Sequence, residues 1–143
     1  LGMVGMSEGA LPFLEQSDRA TMVQIASITG IENHDVPISP SYGAMKAASI
    51  RHMAQRALQW GEKGIRANTV APGPIFIEGG AWDNIKDHAT PLYERDRDWH
   101  PTKRMGTAQE VARVVAFLAS PAASWVNGTT VRVDGAFCRG VDF

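Results

Sequence analysis

Thr21-Met22-Val23-Gln24-Ile25-Ala26-Ser27 is followed, after a loop, by Ser39-Pro40-Ser41-Tyr42-Gly43-Ala44-Met45-Lys46. The first segment is short, apolar and bounded by turn residues, which reads as a buried strand. The second is a helix start. Ser39 can cap it, and Pro40 suits the first helical position, where a missing N–H costs nothing. Ala47, Ile50, Ala54, Ala57 and Leu58 then recur at helical spacing. Gly61 to Gly64 should end the helix. Ile65 to Ala71 reads as a second strand, stopped by Pro72-Gly73-Pro74. Strand, helix, strand in that order predicts α/β architecture with parallel strands.

Outward from this unit the alternation continues. Leu1 to Leu14 carries Met3, Met6, Leu11 and Phe13 and reads as a helix, with a polar break from Gln16 to Arg19. Gly30 to Pro40 is a loop. Ile75 to Thr107 shows no clean period and holds Trp82, Tyr93 and Trp99 among many charges. It is expected to be a long insertion with one or two short helices, and such insertions are commonly functional. Thr107-Ala108-Gln109-Glu110 is a capping-box pattern. Ala108, Val111, Ala112, Val115, Leu118 and Ala119 then form one apolar face, and Ser120-Pro121 ends that helix. Thr129 to Val133 is a third strand, turned by Asp134-Gly135. Three parallel strands joined by right-handed crossovers follow.

Composition narrows the function classes. Hydrophobic residues make up 44% and charged residues 20% of 143 residues, as expected for one folded domain rather than a disordered chain. Lys and Arg total 14 against 15 Asp and Glu, so nothing electrostatic points to nucleic acid or an anionic membrane as partner. No apolar run approaches the roughly 18 residues of a membrane-spanning helix. Cys138 is the single cysteine, which favours a reducing, cytoplasmic setting.

The residues suited to chemistry fall at the carboxyl side of this unit. Ser27 closes the first strand, and ligands of open α/β sheets bind beyond those ends. Tyr42 and Lys46 are four apart and share a helical face. A tyrosine is a poor base at neutral pH, but a fixed ammonium group nearby favours the phenolate, making the pair a possible general acid/base. Ser27 could donate to an oxygen that gains charge. The bland alternative is substantial: a Tyr–Lys pair at this spacing arises by chance, and a serine at a strand end is usually a turn residue. Order and position raise the odds.

At these residues the sequence resembles the short-chain dehydrogenase/reductase (SDR) family, specifically its C-terminal half. The matching segments are Ile25-Ala26-Ser27-Ile28-Thr29-Gly30, Tyr42-Gly43-Ala44-Met45-Lys46-Ala47-Ala48, and Ile65-Arg66-Ala67-Asn68-Thr69-Val70-Ala71-Pro72-Gly73-Pro74-Ile75. Further matches are Arg104-Met105-Gly106-Thr107, Glu110-Val111-Ala112, Phe117-Leu118-Ala119-Ser120 and Val133-Asp134-Gly135. The resemblance implies the last three strands of a Rossmann-like, doubly wound parallel sheet with their helices. Residues 1–143 would be the C-terminal part of one dinucleotide-binding domain, and 76–107 its substrate-loop insertion. It implies an NAD(P)-dependent enzyme that moves a hydride between a nicotinamide cofactor, NAD or NADP, and an alcohol or carbonyl substrate. By matching position, Tyr42 would be the acid/base, Lys46 its electrostatic partner and ribose anchor, and Ser27 the donor to the substrate oxygen. Pro72, Gly73, Pro74 and Ile75 would line the nicotinamide end. Family members commonly pair through the helix matched by Ser39–Trp60, so a homo-dimer or homo-tetramer is expected.

Four departures qualify the match. The family's glycine-rich phosphate loop is not in the chain. Its helix Asn would fall just before Leu1. Ile77 stands where a Thr hydroxyl often helps hold the cofactor. Ser27 and Tyr42 are 15 apart, wider than usual, with His34 and Asp35 in the extra loop. The chain is therefore expected to be part of a longer polypeptide, with the N-terminal half of the domain missing and the remainder inactive by itself. The competing reading is a catalytically silent relative kept as a binding or oligomerisation module.

Other constellations carry less. Adjacent His34 and Asp35 cannot easily form a relay with Ser27, which lacks a nucleophile elbow, although His34 could touch substrate. Asp96, Asp98 and His100 alternate with Arg95 and Arg97, whose charges oppose a metal, so a solvated loop and no metal site are expected. Trp82, Tyr93 and Trp99 could cover a substrate, or equally pack the insertion onto the sheet. Cys138 is expected to be packed rather than reactive.

Overall fold

The computed structural model describes residues 2–33 and 40–140. Helix α1 (Gly2–Leu14) leads to strand β1 (Thr21–Ile25), followed by a single 3-10 turn, Ile28–Gly30. Helix α2 (Pro40–Gly61) is followed by a turn at Gly64, whose φ of 72° reverses the chain into β2 (Arg66–Pro72). A lobe follows: β3 (Ile75–Phe76), α3 (Ala81–His88), α4 (Thr90–Trp99) and β4 (Gly106–Thr107). The chain closes with α5 (Ala108–Ala119) and β5 (Thr130–Val133). The cap expected at Ser39 and the loop residues His34 and Asp35 lie outside the described residues.

The main sheet has the order β1-β2-β5, parallel throughout, with Thr21 opposite Arg66 and Pro72 opposite Val133. β1 stops at Ile25, short of the expected Ser27, because Ser27 caps the 3-10 turn instead of extending the ladder. The aperiodic insertion resolves into two helices joined at Ala89. β3 and β4 pair in parallel at its base, Ile75 with Gly106 and Phe76 with Thr107.

Side chains alternate between the faces of a strand, and β2 shows where each helix lies. Ala67 packs with Met53, Ala57 and Trp60 of α2, and with Ala20 and Ile65; Met3, Leu11 and Leu14 of α1 add to this core. The neighbouring Arg66 faces the other way, donating to Leu118 O at 2.8 Å and Ser120 O at 3.2 Å at the end of α5. Asn68, on that same face, donates to Val126 O and accepts from Thr129 N. Helices α2 and α5 thus cover opposite faces, the doubly wound arrangement. The crossovers β1-α2-β2 and β2-α5-β5 advance in the same direction across the sheet, so they have opposite hand. The expectation that both are right-handed fails for one of them. That preference arises when a strand feeds directly into its crossover helix; here the lobe intervenes between β2 and α5.

The capping box forms as its sequence suggests. Thr107 Oγ1 accepts from Glu110 N, and Glu110 accepts from Thr107 N. The apolar face of α5 is rotated from the one expected: Val111, Val114, Val115 and Leu118 are buried or half-buried, while Ala108, Ala112 and Ala119 stay exposed.

Candidate functional site

The site is built where the 3-10 turn meets α2. Ser27 Oγ accepts from Thr29 N at 3.2 Å and from Thr29 Oγ1 at 3.0 Å. Both contacts use its lone pairs, leaving the Ser27 O–H proton available to donate. Tyr42 and Lys46 lie in the first turns of α2. The ammonium of Lys46 sits 5.5 Å from the centre of the Tyr42 ring and donates to Ile25 O at 3.1 Å, tying α2 to the end of β1. That bond uses one of three ammonium protons.

Two glycines allow this meeting. A Cβ on Gly30 would stand 2.7 Å from Ala47 N and Lys46 C, and one on Gly43 would stand 2.9 Å from Thr29 O. Turn and helix therefore touch backbone to backbone. Gly30, Gly43 and Thr29 carry no site role in the sequence pattern; the available signal is two glycines, one three residues after Ser27 and one next to Tyr42.

A cavity of about 640 Å³ opens beyond the carboxyl ends of β1 and β2. Ser27, Tyr42 and Lys46 all line it, as do Pro72, Gly73, Pro74 and Ile75. The turn from β2 has few backbone donors. Both prolines lack an N–H, and Gly73 N donates to Val133 O at 3.0 Å. The Ile75 N–H is the donor left. Ile77 also lines the cavity and offers only hydrocarbon.

The lobe supplies the far wall. Trp82 of α3 lines the cavity, whereas Tyr93 packs edge-on against Phe76 and Trp99 donates its indole N–H to Phe137 O. Trp82 thus faces the cavity, while Tyr93 and Trp99 hold the lobe to its surroundings. The expectation of a solvated loop at Asp96 and His100 is overturned: both are 2% exposed. Asp96 lies in α4 and His100 caps it, four residues on, so both face inward, and His100 Nδ1 meets Asp96 O at 2.8 Å. Asp98 points outward and pairs with Arg97. Among the described residues no three His, Cys, Asp or Glu side chains are grouped to hold a metal ion. Cys138 is buried, and burial together with the hydrogen bonds its S–H donates to the carboxylates of Glu32 and Asp134 pushes its thiol up to about 12. No described helix is long and apolar enough to cross a membrane.

A parallel, doubly wound sheet with a cleft at its carboxyl ends is the architecture of a class of nucleotide-binding α/β proteins, and comparison with known proteins narrows it. A family model described as enoyl-(acyl carrier protein) reductase matches residues 1–137. Isoepoxydon dehydrogenase of Aspergillus clavatus is 41% identical over 143 residues, covering 100% of this chain and 55% of its own length. Among solved structures, ElxO with NADP bound has a TM-score of 0.83 at 29% identity, covering 95% of this chain and 53% of its own. A 3-oxoacyl-(acyl-carrier protein) reductase with NAD bound, from Brucella melitensis, has a TM-score of 0.81 at 27% identity, covering 94% and 47%. The chain belongs to the short-chain dehydrogenase/reductase family. It spans about half the length of the curated relatives it matches.

Proposed function

We propose that this chain is the catalytic, C-terminal part of a dinucleotide-binding domain in an NAD(P)-dependent oxidoreductase that interconverts an alcohol and a carbonyl compound. The observation that carries the reading is the shared cavity: Ser27, Tyr42 and Lys46 line it together with the Pro72–Ile75 turn. The relatives named dehydrogenases and reductases, and the neighbours with NADP or NAD bound, support it.

The wall fits a nicotinamide group. The Ile75 N–H and the carbonyls of the turn are the groups that would hold its carboxamide. When bound, the cofactor supplies the carrier for the hydride. The chain's own residues do the rest. Ser27 donates its O–H to the substrate oxygen and fixes its position. Tyr42 moves the proton between its phenolic oxygen and that same oxygen. Lys46 holds positive charge beside the ring, stabilising the phenolate as it forms, and offers its two remaining protons to the cofactor ribose. The lobe, residues 76–107, closes over the substrate. A homo-oligomer formed through α2 and a cytoplasmic setting complete the reading; Met45 and Leu58 of α2 are exposed apolar side chains suited to such a contact.

Tyr42→Phe in the full-length protein tests it, assayed on a panel of alcohols and ketones with NAD(H) and NADP(H). Loss of a general acid/base should lower kcat by about 10²–10⁴-fold with cofactor affinity retained. Near-normal turnover would refute the role.

A further inference from the structure

Ser27 Oγ takes two hydrogen bonds from one residue. The bond from Thr29 N, at 3.2 Å, caps the 3-10 turn, and any residue with a backbone N–H at position 29 can make it. The bond from Thr29 Oγ1, at 3.0 Å, belongs to the side chain alone, and the cap does not require it. Thr29 is half-buried and β-branched, so its side chain has few rotamers to choose from. The first turn of α2 also presses on its backbone: a Cβ on Gly43 would stand 2.9 Å from Thr29 O. Thr29 is therefore a fixed donor two residues from the serine. Both line the cavity that Tyr42 and Lys46 line.

Resting on the oxidoreductase reading above, we infer that Thr29 is a positioning residue that acts through Ser27. A hydroxyl has one proton and two lone pairs. With both lone pairs of Ser27 taken by Thr29, the direction left about Oγ is that of the Ser27 proton. Ser27 then donates to the substrate oxygen and does not accept from it, which leaves the proton of an alcohol substrate to Tyr42. The two incoming bonds also polarise the Ser27 O–H and make it a stronger donor. Without the Thr29 hydroxyl one lone pair is freed. Ser27 can then accept from an alcohol, which turns that proton away from Tyr42.

The test is a double-mutant cycle on the full-length protein, with kcat/KM measured on the panel compound that the wild type turns over fastest. Thr29→Val keeps the branched shape and the backbone N–H but loses the hydroxyl. It should lower kcat/KM about three- to tenfold, the worth of one hydrogen bond, with KM for the cofactor unchanged. Thr29→Ser, which keeps a hydroxyl, should recover most of that loss. Thr29→Ala replaces the valine variant if that one does not fold. In a Ser27→Ala background, followed with enzyme in excess so that slow turnover is read directly, Thr29→Val should cost less than about a further twofold, because the group it acts through is gone. A purely structural Thr29 predicts an equal loss in both backgrounds. That equal loss, no loss in Thr29→Val, or no recovery in Thr29→Ser overturns the inference while leaving wild-type turnover and the Tyr42→Phe result intact. A wild type that turns over nothing in the panel overturns the oxidoreductase reading and this inference with it.

Discussion

Glu110 holds two structures at once. It closes the capping box of α5 and accepts two bonds from the Arg104 guanidinium, at 3.0 and 2.7 Å. Those bonds, Arg104 first, draw its carboxyl down from 4.5 to about 2. Between these values the unfolded chain binds the proton and the folded chain does not, so stability rises with pH there. Its contribution is complete above about 4.5 and is lost as pH falls towards 2. Glu110→Gln should therefore lower the urea midpoint at pH 6, and the gap from wild type should close on titration to pH 2.5; a gap that stays constant would contradict this. The capping box was legible because four consecutive residues encode it. The burial of Asp96 was not. Its helix, Thr90–Trp99, interleaves charges that mask the inward positions, and only the fold reveals which one turns inside.

At the scale of elements, the site depends on how closely the 3-10 turn approaches α2. The i, i+4 spacing puts Tyr42 and Lys46 on one face and is readable from sequence alone. That Ser27 joins them depends on Gly30 and Gly43 meeting backbone across the contact, a long-range condition that no local pattern states. Gly30→Ala would push its methyl against Ala47 N and Lys46 C. We expect a loss of about 1–3 kcal/mol in stability. Ser27 should also move away from the Lys46–Tyr42 pair, lowering kcat/KM more than cofactor affinity. Chemical denaturation and steady-state kinetics on the same variant check both. The strand and helix sequence was legible for the same reason as the caps: period and punctuation are local. The hand of the second crossover was not, since it follows from which face α5 covers.

Across the whole molecule, the main sheet is open at both edges among the described residues, β1 and β5 each pairing with β2 alone. β1 has β2 on one edge and, among the described residues, no strand on the other; Ile25 at its end is 43% exposed. Trp125 at the opposite end of the sheet is 98% exposed. An unpaired apolar edge is a template for association. These 143 residues expressed alone should therefore associate, and should bind NAD(P)H weakly, since the chain lacks the glycine-rich loop that cradles a diphosphate. Sedimentation and fluorescence titration measure the two. A monodisperse monomer that binds NADPH tightly would contradict both.

Cys138 has a practical corollary. A thiol held at about 12 has almost no thiolate at neutral pH, and it sits under the segment that Trp99 and Glu32 pin down. Alkylating reagents must wait until that tail lifts. The rate at which iodoacetamide marks this lone sulfur thus becomes a built-in clock for how often the lobe's anchor releases, read by mass spectrometry without adding any probe.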